Sequence, residues 1–393
     1  MRQKTMILSL VLCLCIAAEG YSGGWDNSLI GARPAGMAAA FVGLANDANA
    51  IFYNPAGLSF TEATGELLIC GKKYFPIHTY ISPAGQKGTS ENPASMLELF
   101  TYFRLNPKLS FGLGVYTPYA GGGIRWKKEE VGLDLEGDIG VVAFSPTFAY
   151  KISEFLSIGV NINGYYIVTH QKYGQGQSSF NAEETDFAVS YSGSIFLKPD
   201  RKWSFGLTYH GPSDVKLKGN SHVGELKADS ETKFYLPFSL FFGIAYKFSQ
   251  RLTIVGEYDF FRWSKLQSLK KYINFPDPLP DVNYEEKLGF TDSYYLKIGG
   301  EYDLCEKMAM QLGFSYDKGA VPNESLSLTN IDVDKINFTG GLTYRWGAYD
   351  LNVAGFISNG KEQTVPINEN LSMSGSNFNL EARGILISVN RVF

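Results

Sequence analysis

A phrase recurs along this chain: a short polar turn, then a run in which apolar residues alternate with small or polar ones. Leu109-Ser-Phe-Gly-Leu-Gly-Val115 follows Asn106, Pro107 and Lys108, and Leu156-Ser-Ile-Gly-Val-Asn-Ile162 follows Ser153, Glu154 and Phe155. Trp203-Ser-Phe-Gly-Leu-Thr-Tyr209, Leu252-Thr-Ile-Val-Gly-Glu-Tyr258 and Met308-Ala-Met-Gln-Leu-Gly-Phe314 repeat it, and a weaker sixth copy begins at Tyr349. The first three copies begin at 109, 156 and 203, a spacing of 47 residues. Period-two alternation puts successive side chains on opposite faces, so each copy predicts a β-strand with one apolar face. The run before each turn alternates too, as with Phe242, Ile244, Tyr246 and Phe248 against Gly243, Ala245 and Lys247, so each turn closes a hairpin.

Six hairpins supply twelve strands; one more near 65–80 and a last over 376–393 bring the count to fourteen. Longer polar segments at 84–94, 121–137, 171–183, 271–289 and 319–334 separate the hairpins. Short turns on one rim and long loops on the other are the pattern of an outer-membrane barrel. Charge placement agrees. Leu296, Ile298, Gly300, Tyr302 and Leu304 form an uncharged face, while Lys297, Glu301 and Asp303 share the other; Glu257 and Asp259 fall opposite Leu252, Ile254 and Tyr258. Lipid excludes charge and a watery lumen accepts it, so the charged face points inward. Trp203, Tyr246, Tyr258, Tyr302, Tyr344 and Trp346 suit an aromatic girdle at the turn rim. The chain ends on Phe393, in phase with Ile387 and Val389, a terminal aromatic of the kind that barrel-assembly machinery reads. Glu381 and Arg383 share that phase, which predicts a bulge near Gly384. The fold expected is all-β: a 14-stranded antiparallel transmembrane β-barrel formed by residues 63–393.

Composition changes the picture at its edges. The 393 residues include 42 Gly, and 15 % are aromatic but only 19 % charged, a mix that suits strands. A formal net charge of −4 leaves no basic excess to neutralise phosphates, so no nucleic-acid partner is expected. A mean hydropathy of −0.09 argues against a helical membrane bundle and is compatible with alternating strands. Arg2 and Lys4 precede an apolar stretch at 6–18, followed by Gly20, which predicts a cleaved secretory signal over 1–20. Cleavage removes Cys13 and Cys15 and leaves Cys70 and Cys305, expected as packing residues with no metal-ligand spacing around them; no metal or cofactor is expected.

Residues 31–60 break the alternation. Small residues crowd them, and 35–45 predicts a short helix ended by Asn46 and Asp47. Taken alone the stretch is a Gly/Ala-rich linker. With Asn54-Pro55-Ala56 followed by Gly57 and Leu58, however, it resembles the amino-terminal hatch of the FadL/TodX family of outer-membrane transporters for long-chain fatty acids and other hydrophobic compounds. Val115-Tyr-Thr-Pro-Tyr-Ala-Gly121 with Trp126, Leu236-Pro-Phe-Ser239, Trp263-Ser-Lys-Leu-Gln267, Gly289-Phe-Thr-Asp-Ser-Tyr294, Tyr316-Asp-Lys-Gly-Ala-Val-Pro322 and Asp332-Val-Asp-Lys335 look like further family signatures in family order. The resemblance implies a fourteen-stranded barrel plugged by a hatch over 21–62.

It also implies a mechanism: passive uptake in the outer membrane by a monomer surrounded by outer-membrane lipid. Cargo would be captured in an apolar groove among the loops, pass to a lumen pocket, and leave sideways beside an inward-kinked third strand as the hatch rearranges. The expected cargo is a hydrophobic small molecule, a long-chain fatty acid first and an aromatic hydrocarbon as the rival. In the third strand Gly112 and Gly114 lack side chains and Pro118 lacks an amide donor, so they would permit a break; equally, the glycines would make room in the lumen. Ile124, Trp126, Leu133, Phe180 and Leu288 are candidate groove residues. For a carboxylate head, His170 and Lys172 at the outer end of the fifth strand are the candidates, with Arg125 and Lys287 as runners-up. An enzyme is not expected: the Gly-x-Ser-x-Gly match at Gly20-Tyr-Ser-Gly-Gly24 straddles the cleavage site rather than a strand-to-helix elbow. The alternative is an interaction barrel, a secretion shuttle or surface antigen, without a transport role.

Overall fold

The computed structural model describes residues 25–27, 29–174, 179–367 and 373–393. The expected signal segment, its cleavage site, Cys13, Cys15 and the Gly20–Gly24 match lie outside them. Fourteen strands follow one another in chain order: β1 (Gly65–Ile81), β2 (Lys87–Glu91 continuing as Ala94–Arg104), β3 (Leu109–Trp126), β4 (Leu135–Lys151), β5 (Leu156–Tyr173), β6 (Phe180–Leu197), β7 (Trp203–His210 and Ser213–Val223), β8 (Leu226–Leu236 and Ser239–Lys247), β9 (Leu252–Phe261 and Ser268–Asn274), β10 (Val282–Lys287 and Ser293–Cys305), β11 (Met308–Asp317), β12 (Lys335–Trp346), β13 (Tyr349–Gly360) and β14 (Asn377–Val392). Each pairs antiparallel with the next, and β14 closes on β1 in unbroken register from Glu66↔Val392 to Ile81↔Asn377. This is the closed fourteen-stranded antiparallel barrel that the alternation predicts. All six short turns stand where the repeated phrase puts them.

Closure of the first strand on the last turns the period-two pattern into an inside and an outside. Ile158, Val160 and Ile162 of β5, Phe187, Val189 and Tyr191 of β6, and Leu296 and Ile298 of β10 are exposed, while the intervening Ser157, Asn161, Ser190 and Lys297 are buried. An oily exterior is stable only against lipid. At the short-turn rim Trp203 packs on Tyr246 with ring centroids 4.3 Å apart, and Trp346 is exposed beside Tyr349. No helix among the described residues is long and apolar enough to cross a membrane; the strands carry the span.

Three local expectations give way. No helix forms over 35–45: helical turns are confined to α1 (Ala32–Ala35), α2 (Ala50–Tyr53) and a 3-10 helix, η1 (Pro55–Phe60), and Ala38, Ala39 and Ala45 take positive φ. Irregular turns close much of this stretch, with Met37 and Ala39 both donating to Pro34 and Ala45 to Phe41, while the Ala38, Phe41 and Val42 amides donate to Thr339 and Glu257 of the wall, which interrupts a continuous helical ladder. No bulge forms near Gly384; Glu381 and Arg383 keep the outward phase. The long polar segments are largely strand: β3 runs to Trp126, β6 starts at Phe180, and 268–287 folds as a hairpin. Above the membrane both faces meet water, so those extensions lose the apolar alternation that identifies strands below.

Residues 29–61 lie inside the barrel, almost all buried. The wall is shaped to receive them. A Cβ added at Gly159 would stand 2.4 Å from the Ala56 amide nitrogen, and one at Gly206 would stand 2.1 Å from the Val42 carbonyl oxygen. Backbone therefore meets backbone across the lumen, which only glycine allows.

Cys70 is buried on the inner face, whereas Cys305 is exposed at the end of β10, beside the short turn to β11. With short turns facing the periplasm, a membrane-impermeant maleimide is expected to label Cys305 in lysed cells and not in intact ones. Labelling of intact cells would invert the orientation.

Candidate functional site

The lumen holds the candidate site, and its chemistry is that of a plug gripped by side chains. A wall carboxylate accepts each of several interior amides: Glu98 from Gly31 at 2.8 Å, Glu257 from Phe41 at 2.8 Å and Val42 at 2.7 Å, and Glu66 from Ala48 at 2.9 Å. Glu66 also accepts from Asn390 Nδ2 of β14 at 2.6 Å. Wall donors take the carbonyls: Ser204 bonds Gly43, Asn161 bonds Ile51, Thr208 bonds Tyr53 and Ser157 bonds Ala56, all within 2.6–2.8 Å. Buried peptide groups left without partners would each cost about 1–3 kcal/mol, so this pairing decides where the segment can sit. Counter-charges accompany the carboxylates. Lys297 lies 3.0 Å from Glu257 and also contacts Asp259, Lys72 lies 2.6 Å from Glu98, and Arg33 of the plug grips Glu301 bidentately at 2.7 and 2.8 Å while reaching Asp47. The charged inner face seen in the alternation is thus a docking surface for the plug.

The Asn54, Pro55, Ala56, Gly57 stretch has a physical reading residue by residue. Asn54 Nδ2 donates to the Val42 carbonyl within the plug and to the Ile195 carbonyl of β6, both at 3.1 Å, stitching the two together. Pro55 starts η1, where its missing amide is no loss. Ala56 donates its amide to Ser194 Oγ at 2.9 Å. At Gly57 an added Cβ would stand 2.3 Å from the Ala45 carbonyl oxygen.

Three strands round from β6 the wall ladder is interrupted. The β2–β3 ladder ends at Leu99↔Val115, although β2 continues upward and β3 continues to Trp126. Across the same level β3 slips against β4, with register shifts between Tyr116 and Tyr119 and between Gly121 and Ile124. The freed stretch of β3 pairs inward with residues 25–27, through an isolated bridge between Asp26 and Tyr119. Asn27 N donates to the Pro118 carbonyl at 2.8 Å, Asn27 Nδ2 donates to the Thr117 carbonyl at 2.6 Å, and Ala120 N donates to the Trp25 carbonyl at 2.7 Å. Pro118 sits at the break. Gly112 and Gly114 do not: both are paired on each side, opposite Tyr102 and Thr147, and Phe100 and Ser145. They give room to Ile51 of the plug, the second role their missing side chains allow.

Two cavities flank residues 25–27. The upper, about 80 Å³, is lined by Trp25, Ile124, Leu217, Phe234, Leu269 and Leu288 together with Asp138, Glu184 and Glu286. The lower, about 20 Å³, lies beside Pro118 among Phe52, Tyr116, Tyr165, His210, Phe241 and Phe261. Trp25 forms part of the upper cavity's wall, packed edge-on against Phe234 at 5.3 Å and Phe290 at 5.9 Å. Glu184 bonds Thr232 through one oxygen and has no partner among the described residues for the other. Lys271 faces the lumen here, 2.7 Å from Gln171 and 3.8 Å from Glu184. Burial pushes the Glu286 carboxyl, on the arm above the membrane, above its usual range against the pull of Lys271.

The cations named from sequence stand elsewhere. His170 and Lys172 alternate with the lumen-facing Thr169 and Gln171 and so point out of the barrel; His170 lies 3.5 Å from Asp138, and Lys172 lies 3.6 Å from Glu136, which Arg125 also approaches at 3.4 Å. Sequence reasoning missed Lys271, Glu184 and the pairing of 25–27 with β3. Lys271 falls in a segment that reads as loop, so its phase carried no signal.

The comparisons with known proteins follow the same lines. A family model described as outer membrane protein transport protein (OMPP1/FadL/TodX) matches residues 13–393. The long-chain fatty acid transport protein of Salmonella typhi is 27 % identical over 304 residues, 72 % of this chain and 62 % of that protein. Its Escherichia coli (strain K12) counterpart is 26 % identical, over 72 % and 63 %. The matched stretch therefore spans just under two thirds of these relatives. Among solved structures, a Pseudomonas aeruginosa FadL homologue has a TM-score of 0.81 at 15 % identity, covering 94 % of this chain and 100 % of that one. The Ralstonia pickettii toluene transporter TbuX has a TM-score of 0.73 at 14 % identity, covering 95 % and 99 %. At these identities the likeness is one of fold.

Glu257→Ala leaves the Phe41 and Val42 amides without acceptors while the strands keep their ladders. Hydrogen exchange at those two amides is expected to quicken by about tenfold or more, with wall amides unchanged. Unchanged exchange at Phe41 and Val42 would show that the carboxylate does not hold the plug.

Proposed function

The chain belongs to the outer membrane protein transport family of OMPP1, FadL and TodX, and from that footing we propose that it is a passive channel bringing hydrophobic molecules across the outer membrane. The observation that carries the reading is the break between β2 and β3. The plug fills the straight path through the lumen, so a side opening is the exit that remains, and it faces lipid, where an apolar cargo is soluble. No energy source is needed, because partition into the membrane drives the flow. One barrel contains the whole path, so a monomer suffices, and no catalytic role is assigned to any residue.

In this reading cargo collects in the upper cavity, displaces Trp25 and the 25–27 strand from β3, passes the aromatic cavity beside Pro118 and leaves between β2 and β3. The plug acts as the hatch, and release of 25–27 is the event that opens the way. Gly112 and Gly114 help the gate indirectly, by letting Ile51 and the plug lie against β3.

The curated relatives are named for long-chain fatty acids and the TbuX neighbour for toluene. The cavity favours cargo that arrives uncharged. Glu184 and Glu286 line it, and the ammonium of Lys271 is engaged by Glu184 and Gln171. An ionised carboxylate entering such a site meets like charge in a low dielectric. The channel then takes long-chain fatty acids in their protonated form and neutral aromatics directly. His170, Lys172 and Arg125 act earlier, in the approach of anionic cargo along the rim.

Uptake of oleate and of toluene by a transporter-deficient host, with and without this protein, tests the reading. Both are expected to enter faster with it, oleate more so as pH falls toward its carboxyl pKa. Glu184→Gln, which removes charge and keeps volume, is expected to raise oleate uptake at neutral pH severalfold. Pro118→Val restores an amide donor at the break and is expected to slow both cargoes without impairing assembly. Uptake equal to the bare host for every cargo sinks the transport reading; faster uptake insensitive to Pro118→Val sinks the side exit alone.

A further inference from the structure

The outer wall across β7, β8 and β9 carries an arrangement that the uptake path does not use. Register sets Lys216 of β7 directly opposite Lys233 of β8, and Lys233 directly opposite Lys270 of β9. One outward step higher, Lys218 faces Glu231 and Glu231 faces Tyr272. The alternate residues Leu217, Thr232, Phe234 and Lys271 are buried toward the lumen, so this row of lysines points away from the barrel.

Three ammonium groups side by side on neighbouring strands repel, and like charges directly opposite weaken a ladder. Glu231 relieves part of this, lying 3.2 Å from Lys216 and 2.8 Å from Lys233, and register sets Glu285 of β10 opposite Lys270 and Asp214 of β7 opposite Tyr235, which leaves the row with more cations than acids. Lys218 and Lys270 have no ion pair among the described residues. Arg262 adds a fifth cation at the lower edge, 5.7 Å from the Phe238 ring centre.

The height of the row gives it meaning. One outward step below Lys233 stands Tyr235, and beneath it an aromatic chain runs around the wall: Tyr191 to Tyr209 at 5.9 Å, Tyr209 to Phe238 at 5.7 Å and Phe238 to Phe260 at 6.3 Å. Exposed Phe187 and Val189 flank it on β6. This is the rim opposite the short turns, so the aromatics mark the outer-leaflet boundary and the lysines stand just above it, at head-group level.

We propose that this face binds the phosphorylated head group of an outer-leaflet lipid. Phosphate oxygens bridge Lys216, Lys233 and Lys270, with Lys218 and Arg262 beside them, and the acyl chains lie on the aromatic and aliphatic wall below. A lipid is favoured over a free anion because the cations and the greasy surface are continuous. The same strands carry Leu217, Thr232 and Phe234 of the upper cavity on their other face, so a bound lipid braces the cavity wall from outside. The inference does not depend on what the channel carries.

The test uses the full chain in detergent, by native mass spectrometry, against diphosphoryl lipid A, the same lipid dephosphorylated, phosphatidylethanolamine and inorganic phosphate. Diphosphoryl lipid A is expected to be retained in preference to the other three. Lys216→Gln, Lys233→Gln and Lys270→Gln together are expected to weaken retention on the order of 100-fold at low salt. Substituting Lys198, Lys202 and Lys247 at the opposite rim by Gln is the control and is expected to change nothing. Heat-modifiable migration verifies that each variant is folded. Equal retention by the Lys216, Lys233, Lys270 variant overturns the proposal, as does displacement of the lipid by an equal concentration of inorganic phosphate.

Discussion

The structure depends on satisfying a peptide backbone in a place with little water. A segment of about thirty residues crosses the lumen with little regular secondary structure, so its amides and carbonyls must find partners on the wall. Inward-pointing Glu66, Glu98, Glu257, Ser157, Asn161, Ser204 and Thr208 supply them. Burying carboxylates calls for counter-charges in turn, which explains why Lys72 lies beside Glu98 and Lys297 beside Glu257, while Arg33 of the plug pairs with Glu301 of the wall. The polar half of each strand's alternation therefore answers to the plug as much as to the barrel.

One strand departs from this rule, and the departure is local. Up to Val115, β3 is held on both sides; beyond it, the partner on one side becomes residues 25–27. A three-residue segment is a weak substitute for a full neighbouring strand, so free energy is concentrated unevenly around the barrel. Most of the wall is tied by long ladders, and on its inner side the stretch at Thr117–Ala120 is tied by a few bonds to residues 25–27.

The architecture was legible because lipid imposes a strict code. Parity alone located fourteen strands, six turns and the inward charges such as Glu257 and Lys297. Where lipid stops, the code stops: 268–287 reads as loop although it is a hairpin, and Lys271 went unnoticed while the outward Lys172 drew attention. The stretch at 35–45 has helical composition, yet the amides of Ala38, Phe41 and Val42 donate to Thr339 and Glu257, contacts some 200–300 residues distant that no local pattern reveals. Asn54 to Gly57 was recognisable as a phrase, while its physical task, fastening plug to wall, needed the register of β6.

Glu66 has one oxygen on the plug at Ala48 and the other on Asn390 of the last strand. The first strand thus holds a carboxylate whose two bonds are complete only when the plug has threaded inward and the carboxyl-terminal strand has arrived to close the ring. Assembly in the membrane is in this way coupled to sealing: a barrel that closes around an empty lumen leaves a buried acid half-satisfied beside its own seam, and the seam is the place where an incomplete barrel is easiest to reopen.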